Sequence, residues 1–580
     1  MLPTSTSTSA IATSGSPRPW GRFWRAAAMT LLTTWAAGCA SLPANVSRTS
    51  STTFDAPDST PLGQLALARR TQATARADSG FHLLATVDSA FTSRLALIQG
   101  AQRSLDLQYY AIHADASTEL LLQGLRDAAR RGVRVRILLD DFNTAGADAQ
   151  VLRLSFEKNI EMRLFNPLPG SRGSLLTRAL GSLHDASAMQ KRMHNKLFLA
   201  DNAWGIAGGR NLGDAYFGDS QTSNFVDLDV LAAGRIVRDM SASFDRYWAD
   251  KLAYPVETLV SKEDLERLRK DGDAKPAPQG PNEGGMPAFQ ASTPRAPTLS
   301  ATASVLPNMT ATAVAKAERT PMDLKAVPLV WAPSVLMADK PGKVGPDDDE
   351  TNAGDTLVDG LLALMQQARE EVLVISPYFV PGKDMMAIFR EMRGRGVRIR
   401  VLTNSLASND APAAHAGYAR YRKDLLAMGV ELYEMRSDPA SAGGLAGSGG
   451  GGGGSAGSFG SGVGGSKSGA SRASLHSKAV ILDRRLSVIG SMNLDLRSQL
   501  QNSEVALLIR SRRVADEAAR LVEIGFTRSA YRLEMAKDGA LAWRAPPGAA
   551  FKDETGEPGA DTKLKLLANL LRVIAPDSML

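Results

Sequence analysis

The 580-residue sequence contains one cysteine, Cys39. A single thiol excludes an intrachain disulfide framework, a cysteine-cluster zinc site and an iron–sulfur centre in the monomer. Histidine is also scarce. His82, His113, His184, His194, His415 and His476 are the whole set, so any imidazole chemistry draws on these six. Charge of one sign is weak for the length: a formal +7 is little argument for a nucleic-acid partner, and none is expected. What is present, 44% hydrophobic and 22% charged residues, reads as globular. The length exceeds the roughly 100–200 residues of one domain, so two or more domains or one duplicated unit are expected.

The N-terminus reads as an address. Arg18, Arg22 and Arg25 precede an apolar run, Ala26–Gly38, that ends in Ala36-Ala37-Gly38-Cys39. A basic start, a short apolar stretch and small residues before the cut describe a secretory signal over residues 1–38. The run is too short to span a bilayer as a permanent helix. Its end resembles a bacterial lipobox, with Ala36 where such boxes usually carry Leu. That resemblance implies lipidation at Cys39, and Ala40 after it implies sorting to the outer membrane, on the periplasmic side of the envelope. Residues 39–75, rich in Ser, Thr, Ala and Pro, read as a flexible tether.

An internal repeat decides the architecture. Ser104–Tyr110 reads as a strand, a helix follows near Ser117–Arg131, and Arg131–Leu139 reads as a second strand entered through Gly132. Glu371–Tyr378, a helix near Lys383–Arg393 and Arg395–Leu402 repeat that order. Strand, helix, strand predicts an α/β fold of two similar halves, each a mixed sheet flanked by helices. Arg134, Arg136, Arg398 and Arg400 alternate along these strands; the reading favoured over phosphate binding is a strand entering the sheet from its solvated end. The expected boundaries are 76–258 and 351–545 for the two halves. Between them, 259–350 is expected to be a low-complexity linker with an ordered piece around Pro328–Trp331. A Gly/Ser-rich loop over 441–474 is expected to be disordered, because such a composition cannot offset its ordering entropy.

The chemistry sits in a repeated frame. His194, Lys196, Asp201, Gly208 and Asn211 recur as His476, Lys478, Asp483, Gly490 and Asn493, at offsets 2, 7, 14 and 17 from each His. On a strand, residues i and i+2 face one side, so each His and Lys project together. Two copies about a pseudo-twofold axis would build one shared site with two His, two Lys and two Asn. Lys196, Lys478, Asn211 and Asn493 suit a phosphate, the lysines as point charges and the amides as neutral donors. Two imidazoles suit a two-step displacement at phosphorus: one attacks, and the other serves as acid and then base. Each needs an acceptor on its other nitrogen, and Asp227 and Glu504, similarly placed after their Asn, are the candidates. Asp201 and Asp483, five residues past each Lys at the strand end, read as structural. No metal and no cofactor is expected; the sequence has no spacing such as His-Glu-x-x-His.

His194-x-Lys196-x4-Asp201 and His476-x-Lys478-x4-Asp483 resemble the double signature of the phospholipase D superfamily. Gly208–Phe217, Asp227–Val230, Leu402–Ala407, His415–Arg420 and Gly429–Tyr433 are similar to the bacterial C-type cardiolipin synthases. The resemblance implies a catalytic set of His194, Lys196, Asp201, His476, Lys478 and Asp483, with His194 attacking and His476 as acid and base. It implies phospholipid substrates, a membrane surface as partner, and synthesis of cardiolipin from phosphatidylglycerol, with or without phosphatidylethanolamine. A hydrolase releasing phosphatidic acid uses the same site, and a nuclease of the superfamily is the more distant alternative. His415 and Tyr418 are candidates for head-group contact, set against helix-surface packing. In the tail, 546–580, Lys563–Ile574 is amphipathic, with Leu564, Leu567, Leu570, Leu571 and Ile574 on one face. Lying in a membrane interface and packing on the second half stand as equal readings of it.

Overall fold

The structure, a computed structural model, describes residues 42–43, 46–169, 189–218, 220, 223–273, 319–345, 356–438 and 472–574. The chain divides into two compact units, Met1–Leu42 and Pro43–Leu580, and all the strands and helices below belong to the second. The first half supplies β1 (Ser79–Leu84), β2 (Ser104–Tyr109), β3 (Arg134–Asp140), β4 (Ile160–Phe165), β5 (Leu197–Ala200), β6 (Trp204–Gly208), β7 (Ser223–Val226), β8 (Asp229–Gly234) and β9 (Ala253–Pro255). A connecting segment adds β10 (Val330–Trp331) and β11 (Ser334–Ala338). The second half supplies β12 (Glu371–Ile375), β13 (Arg398–Asn404), β14 (Glu431–Met435), β15 (Arg472–Leu475), β16 (Ala479–Leu482), β17 (Leu486–Gly490), β18 (Val505–Arg510), β19 (Ala530–Met535) and β20 (Leu541–Arg544).

Two sheets result, ordered β10-β1-β8-β6-β5-β2-β3-β4-β9 and β11-β18-β17-β16-β12-β13-β14-β19-β20. From β1 and β11 onward, eight positions correspond one to one. The trios β2-β3-β4 and β12-β13-β14 are parallel, and the other neighbours antiparallel. Parallel steps need crossover connections, and the repeat provides matching helices for the first step of each trio in Ala116–Arg130 and Gly382–Gly394. Ala116–Arg130 starts on Asp115, whose carboxylate accepts the Thr118 N–H at 3.1 Å, and ends before Gly132, which takes the left-handed φ of +94° that L side chains avoid. Each half is thus the α/β unit that the sequence pattern predicts.

The cores are layered. Leu105, Leu107, Val135 and Ile137 pack under the helices of the first half, and Val372, Val374, Ile399 and Val401 under those of the second. A central core joins the halves: Leu197, Leu199, Val230 and Ile236 share it with Leu373, Ala479, Ile481, Leu507 and Val522. Helices Arg235–Trp248 and Arg512–Arg528 bury one face each in this layer. The β7–β15 pair also crosses between halves, as a two-stranded parallel ribbon.

Three sequence expectations change. Residues 46–72 are not a tether. Pro61–Gln72 is a helix with Leu62 and Ala66 buried, and the carbonyls of Thr49 and Ser51 accept from Arg163 and Arg136 at 2.5 and 3.0 Å. The expected linker is ordered on both flanks, as the helix Lys262–Asp273 and as residues 319–345, where Leu324, Lys325 and Val327 carbonyls accept from Arg69. Arg472–Ser474, placed in the Gly/Ser loop, belong to β15. The rest of that loop, the expected signal segment over residues 1–38 and Cys39 lie outside the described residues. The strand arginines are ion-paired: Arg136 with Asp106 and Asp245 at 2.6 and 2.8 Å, Arg400 with Glu371 and Glu523 at 2.5 and 3.1 Å, and Arg398 with Glu431 at 2.6 Å.

Candidate active site

Both copies of the repeated frame fold into the same β-hairpin. Asp201-Asn202 and Asp483-Arg484 join β5 to β6 and β16 to β17 with positive φ at all four residues, the geometry that suits the right-handed twist of hairpin strands. Each Asp then reaches back to the sheet. Asp201 accepts from the backbone N–H of Gln102, Arg103 and Ser104 at 2.7–2.9 Å. Asp483 accepts from those of Arg369, Glu370 and Glu371 at 2.8–3.0 Å. These carboxylates pin the starts of β2 and β12. Their place in the catalytic set is therefore corrected: they stand at the far end of β5 and β16 from His194 and His476, with their acceptor capacity spent on backbone.

His194-Asn195-Lys196 and His476-Ser477-Lys478 are the extended lead-ins to β5 and β16, just outside the ladders. Each lies along the other half. The His194 N–H donates to the Ser503 carbonyl, and the His476 N–H to that of Val226, both at 2.9 Å. This docking crosses the carboxylates. His194 Nδ1 lies 2.9 Å from Glu504 Oε2 of the second half, and His476 Nδ1 lies 2.6 Å from Asp227 Oδ2 of the first. All four side chains are buried. Burial works against ionisation of Glu504, but His194, Lys196 and the Ser491 hydroxyl outweigh it and hold its pKa below the usual range. For Asp227, burial is likewise outweighed by His476, Lys478 and Arg210. An ionised carboxylate on Nδ1 fixes the tautomer that carries its proton there and turns Nε2 over to chemistry.

The lysines fold back beside their histidines. Lys196 Nζ donates to the His194 carbonyl at 2.9 Å and lies 5.4 Å from the centre of the Tyr110 ring. Lys478 Nζ donates to the His476 carbonyl at 2.6 Å and lies 3.0 Å from His476 Nε2. Contacts run without a break from one imidazole to the other. The Tyr110 ring meets His194 edge-on at 5.1 Å, and the Ala111 N–H donates to Asn211 Oδ1. Asn211 Nδ2 donates to the Tyr216 hydroxyl at 3.0 Å, and the Tyr216 ring meets His476 at 5.3 Å. Asn493 Oδ1 is buried without a hydrogen-bond partner.

The small residues of the frame make room for carboxylates. A Cβ on Gly209 would lie 2.4 Å from Asp227 Oδ1. The matching position in the second half is Ser491, whose hydroxyl donates to Glu504 Oε2 at 2.5 Å, while Ser498 donates to Oε1 at 2.9 Å. The shorter Asp therefore faces a glycine, and the longer Glu faces two hydroxyls. That mismatch between otherwise equal frames was the signal that could have found Ser491. Asp339 and Lys343 carried no such signal: Asp339 Oδ2 accepts the Glu504 N–H at 2.9 Å and the Lys343 ammonium at 2.8 Å. Asp140, at the end of β3, accepts the Met193 N–H at 2.8 Å and so sets the His194 lead-in; burial, relieved in part by Arg192, pushes its pKa up to about 6.

His415 and Tyr418 are turned inward, and the head-group expectation for them is corrected. Both are 1% exposed. His415 Nε2 lies 2.6 Å from Arg422, which pairs with Glu557 at 2.5 Å and Glu434 at 2.9 Å and stacks on the Tyr418 ring. Burial and the Arg422 charge lower the His415 pKa. Among the described residues no group of three His, Cys, Asp or Glu side chains is gathered as for a metal ion.

Two sheet-bearing halves that exchange carboxylates across a pair of imidazoles define a duplicated phosphoryl-transfer architecture of the phospholipase D type. Phosphatidylserine synthase from Haemophilus influenzae Rd KW20 shares the fold, with a TM-score of 0.50 and 12% identity over 80% of this chain and 91% of that chain. Residues 95–248 and 361–523 match the family described as cardiolipin synthase, PLD-like domain. Cardiolipin synthase C from Escherichia coli K12 is 36% identical over 462 residues, 78% of this chain and 86% of that protein. A cardiolipin synthase from Geobacillus kaustophilus is 23% identical over 427 residues, 73% of this chain and 61% of that protein. The chain belongs to the cardiolipin synthase, phospholipase D-like family.

Proposed function

We propose that this protein is a phosphatidyltransferase that makes cardiolipin from phosphatidylglycerol, with or without phosphatidylethanolamine, through a phosphatidyl-histidine. The observation that carries the reading is the crossed pairing of His194 with Glu504 and His476 with Asp227. Each imidazole is thereby oriented by a buried anion that stabilises the positive charge it gains as nucleophile or as acid. His194 Nε2 attacks the donor phosphorus. The bond from phosphorus to the leaving head-group oxygen breaks, and that oxygen takes a proton from His476. His476 Nε2 then accepts the proton of an incoming lipid hydroxyl, whose oxygen attacks phosphorus and releases His194. Lys196 and Lys478 neutralise the non-bridging oxygens, and Asn211 and Asn493 flank them.

Cys39 is proposed as the lipid attachment point, which sets the enzyme on the periplasmic side of the envelope, at the outer membrane. Among the described residues no helix is long and apolar enough to cross a membrane. The deciding experiment incubates purified protein with labelled phosphatidylglycerol, with and without phosphatidylethanolamine, and identifies the products by mass. Cardiolipin with glycerol or ethanolamine is the expected outcome. Phosphatidic acid alone would make the protein a hydrolase, and DNA cleavage without lipid turnover would overturn both.

A further inference from the structure

The last helix, Thr562–Ile574, packs on the second half, which meets one of the two readings of the tail. Its inner side is narrow: Ala568 is buried and Leu564 and Leu571 are half-buried. Arg420, on the neighbouring helix Pro412–Ala427, donates to the carbonyls of Leu571 and Arg572 at 3.3 and 2.9 Å. The outer side is apolar. Leu566, Leu570 and Val573, spaced i, i+4 and i+7, are 72%, 56% and 80% exposed, with Leu567 beside them at 44%. Four of the eight large apolar side chains exposed among the described residues stand on this one helix. The exposed face is rotated from the one the sequence marks out, because Leu564 and Leu571 are drawn toward the protein.

Charge and position say what covers that face. The helix carries Lys563, Lys565 and Arg572 and no acidic residue. Lys563 falls within the exposed face by helical spacing, and the nearest acid, Asp561, is spent capping the helix start. An apolar face on a helix whose own charges are all cationic fits a lipid surface of negative charge better than a protein groove. The chain enters the helix from Glu557, ion-paired to Arg422, and Gly559 sits against Ala407 and Ser437. Ala407 follows β13, whose last residue Asn404 exchanges two 2.9 Å hydrogen bonds with Leu475, next to His476. The exposed helix is therefore tied to the edge of the fold that bears the second histidine.

We infer that Thr562–Ile574 is an interfacial docking helix that seats this edge on an anionic bilayer, with Leu566, Leu567, Leu570 and Val573 in the acyl boundary and Lys563 and Arg572 among the phosphates. Only the choice of a lipid occupant rests on the proposed activity. The test uses the full chain with Cys39→Ala and Leu570→Cys, which leaves one thiol for an environment-sensitive fluorophore. Vesicles of phosphatidylcholine with one-fifth phosphatidylglycerol should shift the emission to the blue and expose the label to acyl-chain quenchers. Adding Lys563→Gln and Arg572→Gln should weaken that response about thirtyfold, two surface cations' worth. A label that stays aqueous on anionic vesicles overturns the inference. So does a shift that needs no vesicles and grows with protein concentration, which would make a second copy the occupant. Turnover in detergent mixed micelles is scored separately: insertion without turnover would remove the proposed activity and leave the docking helix standing.

Discussion

Glu504→Gln isolates the contribution of the crossed carboxylate. The amide keeps the shape of Glu504 and its ability to accept from His194, whose Nδ1 lies 2.9 Å from Oε2. It removes the charge and turns one oxygen into an NH2 group, which the Ser498 hydroxyl can meet by accepting where it now donates. When His194 is phosphorylated or protonated, its ring carries a unit positive charge centred about 4 Å from the carboxylate, worth about 4 kcal/mol at an effective dielectric of about 20. At about 1.4 kcal/mol per decade, kcat should fall about 1,000-fold. Substrate KM should change little, because the charge is absent from the ground state. The assay is steady-state turnover of labelled phosphatidylglycerol, with folding checked by circular dichroism and thermal midpoint. A folded Glu504→Gln enzyme within tenfold of the parent kcat would refute the electrostatic role.

Asp227→Asn tests the pH side of the same device. Both crossed carboxylates have pKa values lowered in the fold, so their stabilisation is complete above the unfolded carboxylate range of about 4 and is lost as pH falls through the lower folded values. Urea unfolding from pH 7 to pH 2.5 should show a steeper acid-side loss in the parent than in Asp227→Asn; equal slopes would contradict the shift. Gly209→Ala puts a methyl 2.4 Å from Asp227 Oδ1 and should lower kcat about 100-fold by turning that carboxylate off His476, as measured by lipid turnover. Asp201→Ala leaves three backbone N–H groups without their acceptor. It should cost about 3 kcal/mol of unfolding free energy in urea while turnover per folded molecule stays within a few fold, whereas a catalytic Asp201 would reverse that pattern.

The repeat carried most of the fold and the identity of the site. Two of six histidines in equal frames located the hairpins, and Asp227 and Glu504 stood out by their places after Asn211 and Asn493. The crossing was not legible, because it joins residues 310 and 249 positions apart and no local period encodes which half faces which. Residues 46–72 and 319–345 escaped for a different reason. They hold the fold largely through backbone carbonyls offered to Arg69, Arg136 and Arg163, and every residue type has a carbonyl. Their Ala, Ser, Thr and Pro composition therefore looked like tether. His415 was misplaced because a family-like segment fixes sequence, whereas the partner that claims its imidazole, Arg422, is chosen by packing.

The central claim is one composite site working through a covalent histidine. Rapid acid-free quenching during turnover of isotopically labelled phosphatidylglycerol, followed by peptide mass spectrometry, tests it most directly. The account predicts a phosphatidyl adduct on His194 in the parent enzyme, absent in His194→Ala, with His476→Ala slowing both its formation, which needs the acid, and its release, which needs the base. Turnover that proceeds with no adduct on either histidine, or that survives His194→Ala, would contradict it.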